Sequence, residues 1–96
     1  MLVVVSYDVS TREEAGQRRL RRVARLCEDR GQRVQNSVFE CLVDAAQWVS
    51  FRAALLAEIE PRQDSLRFYM LGNEWKRRVE HVGAKPSYDP QGPLIL

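Results

Sequence analysis

The sequence predicts an α/β (α+β) domain of order βαββαβ, extended by one more strand at a sheet edge. Three observations carry that expectation. The chain opens on a near-continuous valine-rich run, Leu2 to Tyr7. Two later segments repeat apolar residues at helical spacing, and the stretches between and after them lack that period and are rich in β-formers.

Taken in order, the opening run has the character of a central strand covered on both faces, and it ends at Asp8. Ser10 with Glu13, or Thr11 with Glu14, has capping-box spacing, so a helix is expected to start there, with Gly16 delaying its regular part. Leu20, Val23, Ala24 and Cys27 form its apolar face, and Gly31 is the expected stop. A short strand around Arg33 to Gln35, a tight turn near Asn36 and a longer strand through Val43 then read as a hairpin. Asp44 with Gln47 repeats the capping signal for a second helix, whose stripe is Trp48, Phe51, Leu55 and Ile59 and which Pro61 ends. Ser65 to Leu71 is a further strand, and Lys76 to Val82 is expected as the last, shorter edge strand.

This order is the ferredoxin-like arrangement, an antiparallel sheet with two helices on one face. Strand one offers Val3, Val5 and Tyr7 to one side and Leu2 and Val4 to the other; the third strand offers Phe39, Cys41 and Val43 against Val38 and Leu42. Two helices cannot cover two apolar faces, so the open face is expected to pack on a second copy, giving a homodimer joined through its sheet faces. The expected domain is residues 1–82, followed by an extended tail, 83–96. That tail is rich in Gly and Pro yet ends in Leu94-Ile95-Leu96, which either frays or adds as a strand to the dimer or another protein.

Composition narrows the function classes. The 96 residues suit one domain, and 45% hydrophobic with 29% charged residues is a globular balance. The apolar start is too short for a signal-peptide core and lacks a basic leader, and no run is long enough to span a bilayer, so a cytoplasmic protein with no membrane role is expected. Cys27 and Cys41 lie outside any paired ligand motif, which argues against a disulfide or zinc site. The net charge of +2 is modest, but residues 12 to 33 hold eight arginines against four acids. Arginine's planar fork suits phosphate, although a charge run can equally be a solvated helix face.

Asp8 is the candidate for chemistry, a carboxylate at the end of a buried strand beside a basic helix. One aspartate is a poor magnesium site. Two copies of Asp8 across a dimer axis could share a Mg2+ ion and so orient a water or steady a phosphodiester. The alternative is that Asp8 accepts hydrogen bonds from the loop or the first helical turn. His81 has no ligand partner at motif spacing and reads as an ordinary edge-strand residue. Phe68 and Tyr69 are adjacent on a strand, hence on opposite faces, and make no shared stacking platform.

Four stretches resemble one family: Val3-Val4-Val5-Ser6-Tyr7-Asp8-Val9, Arg19-Leu20-Arg21-Arg22-Val23-Ala24, the run from Gly31-Gln32-Arg33 through Val38-Phe39-Glu40-Cys41, and Asp64-Ser65-Leu66-Arg67-Phe68-Tyr69. The chain resembles the CRISPR-associated protein 2 family from Met1 to about Val82, and its ending Pro93-Leu94-Ile95-Leu96 is similar to members found with subtype I-C systems. The resemblance implies a ferredoxin-like homodimer that joins the CRISPR-associated protein 1 integrase to capture double-stranded DNA and support spacer acquisition. It also implies a possible metal-dependent endonuclease acting on RNA or double-stranded DNA, with Asp8 as magnesium ligand and catalytic residue. Tyr7, Arg22, Arg33 and Phe39 fall where family members surround that site, and Arg18 joins them as a candidate nucleic-acid contact. The stretch around Arg12 to Gly16 is longer than in many members, which leaves open which helix-one arginines face DNA.

Overall fold

The computed structural model describes residues 1–83. In chain order the elements are β1 (Leu2–Asp8), α1 (Glu14–Glu28), β2 (Gly31–Gln35), β3 (Val38–Leu42), α2 (Ala45–Glu58) and β4 (Ser65–Gly72), followed by a single 3-10 turn, Trp75–Arg77. The strands form one sheet in the order β2-β3-β1-β4, with every neighbouring pair antiparallel. The valine-rich opening run is therefore a central strand, as its continuous apolar character requires.

Alternation along the strands sorts the side chains between two faces. Val3, Val5 and Tyr7 of β1 join Phe39 and Cys41 of β3 and Val43 in one buried cluster, onto which α1 lays Val23 and Cys27 and α2 lays Phe51 and Leu55. Leu66 and Phe68 of β4 close its rim, and the Trp48 ring meets Phe68 edge-on at 4.9 Å between centroids. The expected helix stripes are thus the ones that pack. The other face carries Val4, Val38, Leu42 and Tyr69, interspersed with Ser6, Gln32, Glu40 and Arg67. Among the described residues neither α1 nor α2 covers this second face, although Leu2 at its end is fully buried; it is more mixed than a count of valines and leucines suggests.

The helix ends show where local signals succeed and fail. Asp44 and Gln47 make the full capping box, Gln47 N–H to Asp44 Oδ1 at 2.7 Å and Asp44 N–H to Gln47 Oε1 at 2.9 Å. The analogous box expected for α1 does not form: Glu13 is the N-cap without a side-chain hydrogen bond, and the Ser10 N–H turns to Asp64 instead. Gly16 lies inside α1, and Gly31 opens β2 instead of capping the helix.

One further correction concerns the edge strand expected at Lys76 to Val82. Among the described residues that segment holds no strand. The chain leaves β4 through Gly72 at φ 73°, turns at Trp75–Arg77 and buries Trp75, which shares a shallow depression with Met1, Leu42 and Asp44. Burying one large aromatic ring breaks the extended conformation that the β-rich composition favoured. The expectations for the tail beyond Gly83 lie outside the described residues. No helix among them is long and apolar enough to cross a membrane.

Candidate nucleic-acid site

Two groups of candidate residues come together, and they occupy different parts of the surface. The first lies at the carboxyl end of β1. Asp8 is exposed and pairs across the sheet with Ser65 of β4. Its carboxylate makes no side-chain hydrogen bond or ion pair among the described residues. It lines a shallow concavity of about 250 Å³ with Ser6, Ser65, Arg67 and Tyr69. Arg67 and Tyr69 are two apart on one strand, so they share a face, and Arg67 Nη1 donates to the Tyr69 hydroxyl at 3.3 Å. Sequence pattern alone marks neither as a site residue. The signal was the i, i+2 spacing opposite Ser6 and Val4, legible only once the register was known.

The role of hydrogen-bonded corner aspartate, considered for Asp8, belongs to Asp64. Its side chain is buried and accepts from four donors: Ser10 N–H at 3.0 Å, Glu60 N–H at 2.8 Å, Arg19 Nε at 2.8 Å and Arg19 Nη2 at 3.3 Å. Burial pushes this carboxyl up, but the Arg19 guanidinium and the two main-chain N–H groups outweigh it and hold it below its ordinary value. Asp8 is thereby left as the open carboxylate of the pair, the one able to meet a ligand.

Tyr7, Phe39 and Arg33 form a stack just inside the same end of the sheet. The Tyr7 and Phe39 rings lie 6.2 Å apart at 22°, and the Arg33 guanidinium sits 5.0 Å from the Phe39 centroid. Phe39 is fully buried and Tyr7 is 4% exposed, Tyr7 bordering the concavity of Asp8 and Phe39 seating the Arg33 guanidinium from below. Arg33 is pinned further by Nη2 to Glu28 at 3.1 Å and Nη1 to the Asn36 carbonyl at 3.2 Å. Burial also raises the Tyr7 hydroxyl, against the opposing pull of Arg33. Cys27 and Cys41, both free and buried, are pushed up to about 12 by desolvation. They are core residues.

The second group is the outward side of α1, where Arg18, Arg21, Arg22 and Arg25 surround a concavity of about 250 Å³. Arg18 lies 3.6 Å from Glu14 and Arg22 lies 3.9 Å from Glu58, both loose exposed pairs that a phosphate can displace at small cost. Arg19 is turned inward to Asp64 and is not part of this array. Sequence alone could not separate Arg19 from its neighbours.

The described residues of one chain do not by themselves gather a magnesium ligand set. No three His, Cys, Asp or Glu side chains gather within reach of one ion among the described residues, and Asp8 provides a single carboxylate.

Fold and site together define a small ferredoxin-like domain with an arginine-lined helix and an open carboxylate at the end of its central strand. The family model described as CRISPR associated protein Cas2 matches residues 1–79, and the chain belongs to that family. It is 62% identical over its full 96 residues to the CRISPR-associated endoribonuclease Cas2 of Nitratidesulfovibrio vulgaris, covering 94% of that protein. It is 55% identical, over the whole of both chains, to the CRISPR-associated endonuclease Cas2 of Halalkalibacterium halodurans. Among solved structures, Streptococcus pyogenes Cas2 superposes with a TM-score of 0.74 at 55% identity, covering 86% of this chain and 100% of that one.

Proposed function

We propose that this protein acts in CRISPR adaptation as a homodimer that binds double-stranded DNA and supports spacer acquisition together with the CRISPR-associated protein 1 integrase, in the cytoplasm. The observation that carries the reading is the α1 array of Arg18, Arg21, Arg22 and Arg25, which is exposed, only loosely paired and suited to phosphates without regard to sequence. Membership of the Cas2 family supports it. The mixed open face with Val4, Val38, Leu42 and Tyr69 is the surface through which a second copy would pack. In this role arginines hold the duplex backbone, and Asp8 need not cleave.

The test is DNA binding followed across salt concentration by fluorescence anisotropy, paired with integration assays using the purified integrase. Arg18→Ala and Arg22→Ala should each flatten the log–log salt slope by about one unit while weakening all sequences alike. Asp8→Ala should still support integration. Loss of integration by a folded Asp8→Ala protein would overturn the adaptor reading.

A second reading is favoured by the exposed Asp8 carboxylate, without a side-chain partner among the described residues, and by the names of the endoribonuclease and endonuclease relatives: a magnesium-dependent endonuclease acting on RNA or double-stranded DNA. Asp8 from each of two copies would then hold a Mg2+ ion, which contributes Lewis-acid chemistry to phosphodiester hydrolysis. Arg67, in the same concavity, would steady the phosphate. Cleavage by purified protein that vanishes both with chelator and on Asp8→Ala supports this reading. Cleavage that survives either treatment refutes it.

A further inference from the structure

Asp8 is fixed only through its main chain, so its direction depends on the segments flanking it. On the strand side, Tyr7 N–H donates to the Ser37 carbonyl at 3.0 Å, and Asp8 itself pairs with Ser65. On the helix side the chain passes through Ser10, which is gripped twice. Its N–H donates to Asp64 Oδ1, and its carbonyl oxygen lies against Gly16 so closely that a Cβ there would stand 1.9 Å from it. Glycine is among the poorest helix formers, and this approach explains its place in the first turns of α1. Asp64 also takes the Glu60 N–H and both Arg19 contacts, and it directly precedes Ser65. One buried carboxylate therefore anchors both chain segments that bracket Asp8.

We propose that Asp64, Arg19 and Gly16 are positioning residues for Asp8: together they clamp the turn of residues 9–13 so that the Asp8 carboxylate is presented to a phosphate-bearing ligand in one direction. The proposal rests on the second reading above, in which Asp8 is the functional carboxylate of an endonuclease. It adds the device that preorganises it, in a place where loose support of a functional side chain is costly.

The test uses the full chain and the variants Asp64→Asn and Gly16→Ala, studied at a temperature where each remains folded. Amide hydrogen exchange of residues 9–13 and of Ser65 should accelerate at least about tenfold in both variants, while central-strand amides such as Val5 and Cys41 keep wild-type protection. The Asp8 side-chain 13C resonance should move in both, although neither substitution touches that side chain. Unchanged exchange in residues 9–13, or acceleration spread evenly over the whole sheet, overturns the clamp. If Asp64→Asn fails to fold, Gly16→Ala decides alone, because it leaves the Asp64 hydrogen-bonding groups in place. Failure of the underlying reading looks different. There the clamp loosens locally in the variants, yet Asp8→Ala cleaves nucleic acid as the wild type does.

Discussion

Replacing Asp64 by alanine removes one carboxylate and orphans donors from three parts of the chain. The Ser10 and Glu60 N–H groups lose their acceptor at a site where the Asp64 side chain is wholly buried. A hydrogen bond to a charged group contributes about 2 kcal/mol net, so the two main-chain donors alone imply a loss of about 4 kcal/mol, within the range for removing one partner of a buried ion pair. For a domain of this size each kcal/mol moves Tm by several degrees, so the variant should melt roughly 15–30 °C lower. The assay is thermal unfolding by circular dichroism at neutral pH, backed by a denaturant midpoint that falls with m unchanged. The difference between the two proteins should also depend on pH. The folded Asp64 carboxyl titrates below its ordinary 3.8, so on acidification the unfolded chain takes the proton first. The charge-dependent part of its contribution is therefore complete above 3.8 and is lost as pH falls through the folded value, and the gap between the two melting curves narrows there. A shift in Tm under about 5 °C at neutral pH, or a gap that widens on acidification, would refute the account of Asp64 as the anchor of this corner.

Asp8→Ala, by contrast, removes an exposed carboxylate without side-chain partners and should leave Tm within about 3 °C of wild type by the same melting assay. Phe39→Ala empties a fully buried site and withdraws the seat of Arg33, and should cost about 3–5 kcal/mol in denaturant titration. Cys27 and Cys41, buried and raised to about 12, should resist a thiol reagent at pH 8 in the folded protein and react fully once denaturant is added.

What could be read from the chain follows from the range over which each interaction acts. The Asp44 and Gln47 box spans three residues, and it formed as expected because both partners lie on the same turn. The core stripes of α1 and α2 and the placing of β1 at the sheet centre needed only periodicity and the burial of valines. The Ser10 signal failed for the opposite reason. Its main-chain N–H had a stronger acceptor 54 residues away, a charged carboxylate with an arginine behind it, and a long-range competitor leaves no trace in local spacing. The expected edge strand failed similarly, since the burial of Trp75 is set by Met1 and Leu42, which are distant in sequence.

The same reasoning explains why Asp8 could be marked by sequence while its support could not. A lone carboxylate at the end of an apolar run is visible as a break in pattern. The groups that hold such a residue still are ordinary in isolation: one arginine among eight, one glycine in a helix, one aspartate before a strand. Arg18 and Arg19 are adjacent on α1, yet folding turns one toward solvent and the other onto Asp64. Charge counting therefore overstates the proposed nucleic-acid surface by the arginines that the fold consumes, and the array left open to a phosphate is the outward set of Arg18, Arg21, Arg22 and Arg25. A binding assay separates the two kinds. Substitution of an outward arginine should change the salt slope at constant Tm, whereas Arg19→Lys should lower Tm, because a single ammonium cannot reproduce the two-toothed contact with Asp64.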